Sequence, residues 1–254
     1  MMRADMFLSS FGYAKSRSSA QSMISEGSVT INGKRIEKAS ENVDENAENS
    51  VEITAEQKFV GRGGYKLEYA LEKFNIDVKG MTAIDVGAST GGFTDCLLQR
   101  GAVKVFAVDS GEGQLDTSLV SDSRVVNIEK YNARNLKSTD FDSKIDIAVM
   151  DVSFISQTLI IPSLSELLTD GAWFVSLIKP QFEVGRSAVG KKGIVKSSKD
   201  RINAVKNVVS FAENFGLGCL GVSESVITGG DGNVEYVAAF QKGARTKIII
   251  NLQR

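Results

Sequence analysis

Chemistry in this chain is best sought where polar residues end apolar runs. Asp85-Val-Gly87-Ala88-Ser89-Thr90-Gly91-Gly92-Phe93 follows a buried apolar run and leads into a helical pattern. It therefore reads as a strand, a glycine-rich turn and a helix start. Glycines let such a turn bend and let a ligand approach the backbone. No Gly-Lys-Ser/Thr follows, which excludes a P-loop. Asp109 ends the next apolar run, 22 residues after Gly87, where a carboxylate can grip ribose hydroxyls. That pattern fits NAD and S-adenosylmethionine alike. Asp151 and Lys179 each end a further apolar run, a position that in a doubly wound sheet faces the ligand crevice. The chain has no histidine, so imidazole triads are excluded and Lys, Asp and Glu remain as proton handlers.

Elements that alternate must position these groups. Tyr65–Asn75 reads as a helix with Leu67, Ala70, Leu71 and Phe74 on one side. Strands are expected at 81–87, 103–109, 124–128, 145–151 and 172–178, with helices opening at Gly91 and spanning 159–168 and 197–215. Segments 218–227 and 234–240 are separated only by a glycine-rich turn and are expected to pair antiparallel. Alternation of this kind implies a mostly parallel, doubly wound sheet.

Composition bounds the rest. The 254 residues are 42% apolar and 24% charged, with 30 basic and 31 acidic side chains. A globally basic nucleic-acid coat is excluded, although a local basic face is not. The two cysteines, Cys96 and Cys219, exclude a disulfide framework and a four-cysteine metal site. No apolar run approaches a bilayer span and the N-terminus lacks a signal-peptide stretch, so a cytoplasmic protein is expected. Charge is uneven. Residues 1–38 hold six basic and three acidic groups, and residues 39–57 hold six acidic groups and no basic one. A basic module at 1–58 with its acidic connector, a glycine-broken linker at 59–64, a large domain at 65–241 and a basic tail at 242–254 are expected. In the module, 3–11 and 16–26 read as short helices, the second capped by Ser16 or Ser18. Asn32-Gly33 between Val29, Ile31 and Ile36 reads as a two-residue hairpin turn, with a later strand at Val51 and Ile53.

Two resemblances rest on ordered motifs. Arg3-x-Asp5, Ala14-Lys15-Ser16-Arg17, Ala20, Ile24 and Gly27-x-Val29-Thr-Ile31-Asn32-Gly33-Lys34 resemble the small S-four RNA-binding domain. That implies RNA contact by Arg3, Lys15, Arg17, Lys34 and Arg35, through phosphates rather than bases. Asp85–Asp95 resembles methyltransferase motif I as found in the TlyA family of ribosomal RNA ribose methyltransferases, whose members are often labelled hemolysins. Gly61-Arg62-Gly63-Gly64-Tyr65-Lys66-Leu67, Gly113-Gln114-Leu115, Asp151-Val-Ser-Phe-Ile-Ser156, Lys179-Pro-Gln-Phe-Glu183 and Ile227-Thr-Gly with Gly232-Asn233-x-Glu235 match in order. Family members usually carry Tyr where Glu112 stands, and His-Arg where Asp200-Arg201 stands. Glu112 is expected to add negative charge to the cofactor wall.

The family likeness implies a Rossmann-like methyltransferase fold, a mostly parallel seven-stranded sheet with an antiparallel last strand, beside a small α+β S-four lobe. It implies S-adenosylmethionine as cofactor and no metal, with Asp85, Gly87, Ala88, Ser89, Thr90, Gly91, Gly92, Phe93, Asp109, Asn132 and Asp151 around it. It implies a catalytic Lys66–Asp151–Lys179–Glu235 tetrad like that of FtsJ-type ribose 2′-O-methyltransferases, acting on a cytidine ribose in ribosomal RNA or ribosomal subunits. Lys179 is then the group that orients and deprotonates the hydroxyl. Gly185–Lys199, with Arg186, Lys191 and Lys192, reads as a mobile basic loop that closes over RNA, and Arg62 joins the basic surface. A catalytically silent RNA-binding assembly protein is the alternative. A pore-forming cytolysin is the third reading, disfavoured by the absence of an amphipathic β repeat.

Overall fold

The computed structural model describes every residue except Glu26, 55–57, 230–231 and 248–254, and for Ser22 and Ser25 only the backbone. The chain divides into two compact units, Met1–Arg62 and Gly63–Arg254.

In the small unit, β1 (Met2–Arg3) runs into α1 (Ala4–Ser10), and α2 (Arg17–Ser25) follows. Ser16 Oγ accepts from Ser19 N at 3.1 Å, the expected cap. β2 (Val29–Ile31) and β3 (Lys34–Arg35) form the hairpin. Asn32 and Gly33 both take positive φ, 54° and 74°, as a two-residue primed turn requires. β5 (Val51–Ile53) pairs with β2, and β4 (Asn42–Val43) pairs with β1, a strand pair the sequence pattern is too short to reveal. Ala4, Phe7, Leu8, Ala20, Ile24, Val29 and Ile31 make its core.

The large unit is built on one seven-stranded sheet. Its strands are β6 (Thr82–Val86), β7 (Lys104–Val108), β8 (Val125–Ile128), β9 (Ile145–Met150), β10 (Leu168–Ile178), β11 (Leu217–Glu224) and β12 (Tyr236–Lys242). Their order is β11-β12-β10-β9-β6-β7-β8. All pairings are parallel except those of β12, which runs antiparallel to β10 and β11. The order reverses between β6 and β9, so the ligand crevice opens beyond their carboxyl ends. The interior strands are buried along most of their length, as a sheet covered on both faces requires. Register partners Phe174 and Phe240 stack with centroids 5.3 Å apart in that core.

The helices are α3 (Gly63–Lys73), α4 (Gly92–Gln99), α5 (Thr117–Val120), α6 (Ile161–Leu167), α7 (Pro180–Glu183) and α8 (Ser198–Glu213). Two differ from expectation. The glycines at 61–64 do not break structure throughout, because α3 begins at Gly63, where a Cβ would come within 3.2 Å of Phe93 on α4. The helix expected at 159–168 begins only at Ile161, with Pro162 in its first turn and a 3-10 turn before it. Leu168 already belongs to β10, whose pairing with β9 shifts register between Leu168 and Trp173. Residues 244–247 of the tail lie along β11: Lys247 N donates to Cys219 O at 2.7 Å, and a Cβ on Gly218 would strike Ala244 O. They cover an exposed strand edge. The tail beyond Lys247 lies outside the described residues.

Candidate active site

The glycine loop joins β6 to α4. Gly87 has φ 86°, and a Cβ there would sit 2.6 Å from Asp151 O, so the β6 and β9 ends can meet only with glycine. Gly91, φ 94°, caps α4 against Leu115 and Leu119. Ser89 N donates to Asp109 Oδ2 at 2.8 Å and Gly111 N to Asp109 Oδ1 at 2.7 Å, so that carboxylate is held at the end of β7.

A cavity of about 390 Å³ opens here, within the range of small-molecule sites. Gly87, Ser89, Asp109, Asn132 and Asp151 line it. Ala88, Gly91, Gly92 and Phe93 shape the loop from the buried side, and Thr90 is exposed. Asp85 does not line the cavity either. It is fully buried beneath the loop, where Oδ2 accepts from Thr94 Oγ1 at 2.8 Å and Oδ1 has no hydrogen-bond partner. Burial pushes its carboxyl up to about 7, with Asp151 and Asp109 adding to the rise and Thr94 opposing it. Asn132 Oδ1 accepts from Arg134 N and Nε, which fixes the amide at the cavity rim. Glu112 is not on this wall. It is exposed and ion-paired with Lys130 at 2.6 Å, which offsets its charge.

Two ion pairs stand at the carboxyl edge of the sheet, the first sharing Asp151 with the cavity. Lys179 Nζ lies 2.6 Å from Asp151 Oδ1 and donates to Ser153 Oγ at 2.9 Å. Lys66 Nζ, from the first turn of α3, donates to Glu235 Oε2 at 2.5 Å, and both side chains are buried. Asp151 follows β9, Lys179 follows β10 and Glu235 precedes β12. Those strands are neighbours in the sheet, and because β12 is antiparallel its beginning shares their carboxyl edge. The expected four residues are thus brought to one edge as two Lys–carboxylate pairs, one accessible and one enclosed.

A polar network that sequence reasoning did not identify holds the accessible pair. Glu183 Oε1 accepts from Gln157 N at 2.9 Å and Oε2 from Ser156 Oγ at 2.6 Å. Gln157, itself buried, donates to Leu177 O and accepts from Ser176 Oγ, both at 2.6 Å. It ties the segment after Asp151 to the end of β10, which fixes where Lys179 emerges. Phe154 was also missed as a site residue. It lines the cavity, has φ 64°, is 92% exposed and lies against Phe182 with centroids 5.2 Å apart. A bulky residue at positive φ is strained, and such strain concentrates at functional sites.

Gly185–Lys199 is more ordered than a wholly mobile loop. Arg186–Ala188 form a 3-10 turn, and buried Asn233 accepts from Val195 N at 3.0 Å while donating to Gly193 O at 2.9 Å. Arg186, Lys191 and Lys192 are exposed on it, and Arg62 is half-buried. In the small unit, Arg3 is half-buried and Lys15, Arg17, Lys34 and Arg35 are exposed.

Residues 59–242 match the FtsJ-like methyltransferase family and residues 2–49 the S4 domain. The chain belongs to the FtsJ-like methyltransferase family. It is 44% identical over 236 residues to YqxC of Bacillus subtilis, described as a candidate rRNA methyltransferase, covering 92% of this chain and 84% of that one. It is 42% identical over 234 residues to the 16S/23S rRNA (cytidine-2′-O)-methyltransferase TlyA of Mycobacterium tuberculosis, covering 92% and 87%. A solved structure from Streptococcus thermophilus, described as a candidate hemolysin, superposes with TM-score 0.77 at 40% identity over 96% of this chain and 90% of that one. Among the described residues no helix is long and apolar enough to cross a membrane.

Proposed function

We propose that this enzyme transfers a methyl group from S-adenosylmethionine to a ribose 2′-hydroxyl, that of a cytidine, in ribosomal RNA in the cytoplasm. The carrying observation is the pair of Lys–carboxylate contacts at the carboxyl edge of β9, β10 and β12, next to the glycine-loop cavity, in a family member whose TlyA relative bears that name.

The residues present fit the cofactor. Asp109 is held where ribose hydroxyls would donate to it, and Asn132 stands where an adenine edge would lie. Asp109 and Asp151 place carboxylates on the cavity wall, Asp151 paired with Lys179, and beneath the loop Asp85 Oδ1 is a buried acceptor without a donor. Such a site suits a ligand carrying a sulfonium and an ammonium group. When bound, the sulfonium supplies an activated methyl.

The protein then has to place the acceptor oxygen in line and manage its proton. Lys179 Nζ, held by Asp151 and Ser153, orients the 2′-oxygen, and once its ammonium has lost a proton to solvent the neutral amine takes the hydroxyl proton. The enclosed Lys66–Glu235 pair fixes the neighbouring wall with little net charge. The exposed Phe154 ring offers a face on which the acceptor base stacks, as unpaired bases do on aromatic side chains. Arg3, Lys15, Arg17, Lys34 and Arg35 anchor the RNA backbone, with Arg62, Arg186, Lys191 and Lys192 adding phosphate contacts.

Incubation with tritiated S-adenosylmethionine and unmodified ribosomal subunits tests this reading. Label enters the RNA with the wild type and is lost with Lys179→Ala. Arginine keeps the charge and the donors but cannot accept a proton at neutral pH. Near-full activity of Lys179→Arg therefore removes the proton-accepting role and leaves only positioning. No label with any subunit, beside normal cofactor binding, supports instead a silent RNA-binding assembly protein.

A further inference from the structure

Asp5 is the one carboxylate in the small unit whose side chain is wholly out of solvent among the described residues. An isolated buried carboxylate is unfavourable unless donors surround it. Here Oδ1 accepts from Arg3 Nε and Met6 N, both at 3.0 Å. Oδ2 accepts from Arg3 Nη2 at 3.0 Å, Arg17 Nε at 2.9 Å and Gln21 Nε2 at 2.7 Å. Both oxygens are thus saturated by two guanidinium groups, an amide and a backbone N–H.

The two arginines are not consumed by this. A guanidinium has five N–H donors in a rigid plane. In those contacts Arg3 uses Nε and one Nη, and Arg17 uses Nε alone. Their side chains remain 41% and 54% exposed. One enclosed carboxylate therefore holds Arg3 by two donors and anchors Arg17 at Nε, two exposed forks that come from separate elements, one before α1 and one opening α2.

We infer that Asp5 is a positioning residue for RNA: it presents Arg3 and Arg17 as a preset pair of donors for backbone phosphate. This rests on reading the small unit as RNA-binding. Preset forks lose less side-chain freedom when they bind. Glu41 supplies the internal contrast. It also pairs with a lobe cation, Lys34, at 2.8 Å, but that ammonium is 75% exposed and holds no fixed plane. Glu41 Oε1 also accepts from Glu37 N and Lys38 N at 2.8 and 3.1 Å, contacts that a glutamine oxygen can keep, so Glu41→Gln removes chiefly charge from the basic face.

The two carboxylates separate positioning from charge counting. If charge alone mattered, Asp5→Asn and Glu41→Gln would both tighten RNA binding, since each removes a negative charge. Positioning gives opposite signs. Filter binding of the full-length protein to unmodified ribosomal RNA, across a salt series, should show Asp5→Asn weakened about tenfold with a shallower salt slope. Glu41→Gln should bind equally or more tightly. In methyl transfer, Asp5→Asn should raise KM for RNA and leave kcat unchanged. Arg17→Lys keeps the charge without the planar fork and should weaken binding severalfold, which covers the case in which Asp5→Asn does not fold. Asp5→Asn binding as tightly as wild type overturns the inference, as does Arg17→Lys binding as tightly when Asp5→Asn fails to fold. Binding needs no methyl transfer. RNA binding without transfer therefore refutes the enzymatic reading alone, and transfer with unaltered variant binding refutes this one alone.

Discussion

Asp5 and Asp85 are both fully buried, and their surroundings are opposite. Asp5 is surrounded by donors, and Arg3 above all holds its carboxyl well below the usual carboxylate range. Asp85 has Thr94 on one oxygen and no partner on the other, and burial pushes it up to about 7. The small unit satisfies its buried charge internally and turns cations outward. The large unit leaves a buried carboxyl incompletely partnered beneath the loop that borders its cavity. A binding lobe made to meet a polyanion and a pocket made to meet a cationic donor differ in this way.

The largest test of that contrast lies at the accessible ion pair. Lys179→Ala should lower methyl transfer by at least about a hundredfold, with cofactor affinity and melting temperature close to wild type. A comparable loss from altering any small-unit residue at saturating RNA would break the division of labour. Next is the loop. Gly87→Ala forces a Cβ toward Asp151 O at φ 86°. It should weaken cofactor binding at least about tenfold by calorimetry, because strained αL positions cost on the order of 1–3 kcal/mol.

A smaller effect should appear in pH dependence. Asp85 has a folded pKa raised above its unfolded value of 3.8. Between those values the native state holds a proton that the unfolded state releases, so this residue lowers apo stability as pH rises from about 4 to about 7. Asp85→Asn should flatten that part of the melting-temperature profile, and an unchanged slope would place the pH dependence elsewhere. The smallest effect is at Glu112, whose charge is matched by Lys130 at the surface. Glu112→Gln should change cofactor affinity by less than about twofold. A larger gain would mean that Glu112 does act on the cofactor wall.

Much of the fold was legible because strands buried on both faces must be continuous apolar runs, as Val105–Val108 and Ile147–Met150 are. Asp151 and Lys179 stood out as polar residues ending such runs. Lys66 and Glu235 did not, since their contact spans 169 residues and only the family likeness joined them. Ser153 and Phe154 gave no local signal, because neither a hydroxyl beneath an ammonium nor an aromatic at positive φ leaves a periodic trace. The grip of Asn233 on Gly193 and Val195 is equally non-local, so the segment before α8 read as looser than it is. Asp85 was read at the cofactor from its motif, but its depth depends on Thr94 and the closing of α4 over it.

In the proposed function the carboxyl-edge ion pairs act on a ribose oxygen. Mass spectrometry of nucleosides from unmodified ribosomal subunits, incubated with S-adenosylmethionine and either wild type or Lys179→Ala, tests it most directly. The wild type should yield 2′-O-methylcytidine and the variant none. A methyl group on a base, or an equal yield of 2′-O-methylcytidine from both proteins, would contradict it.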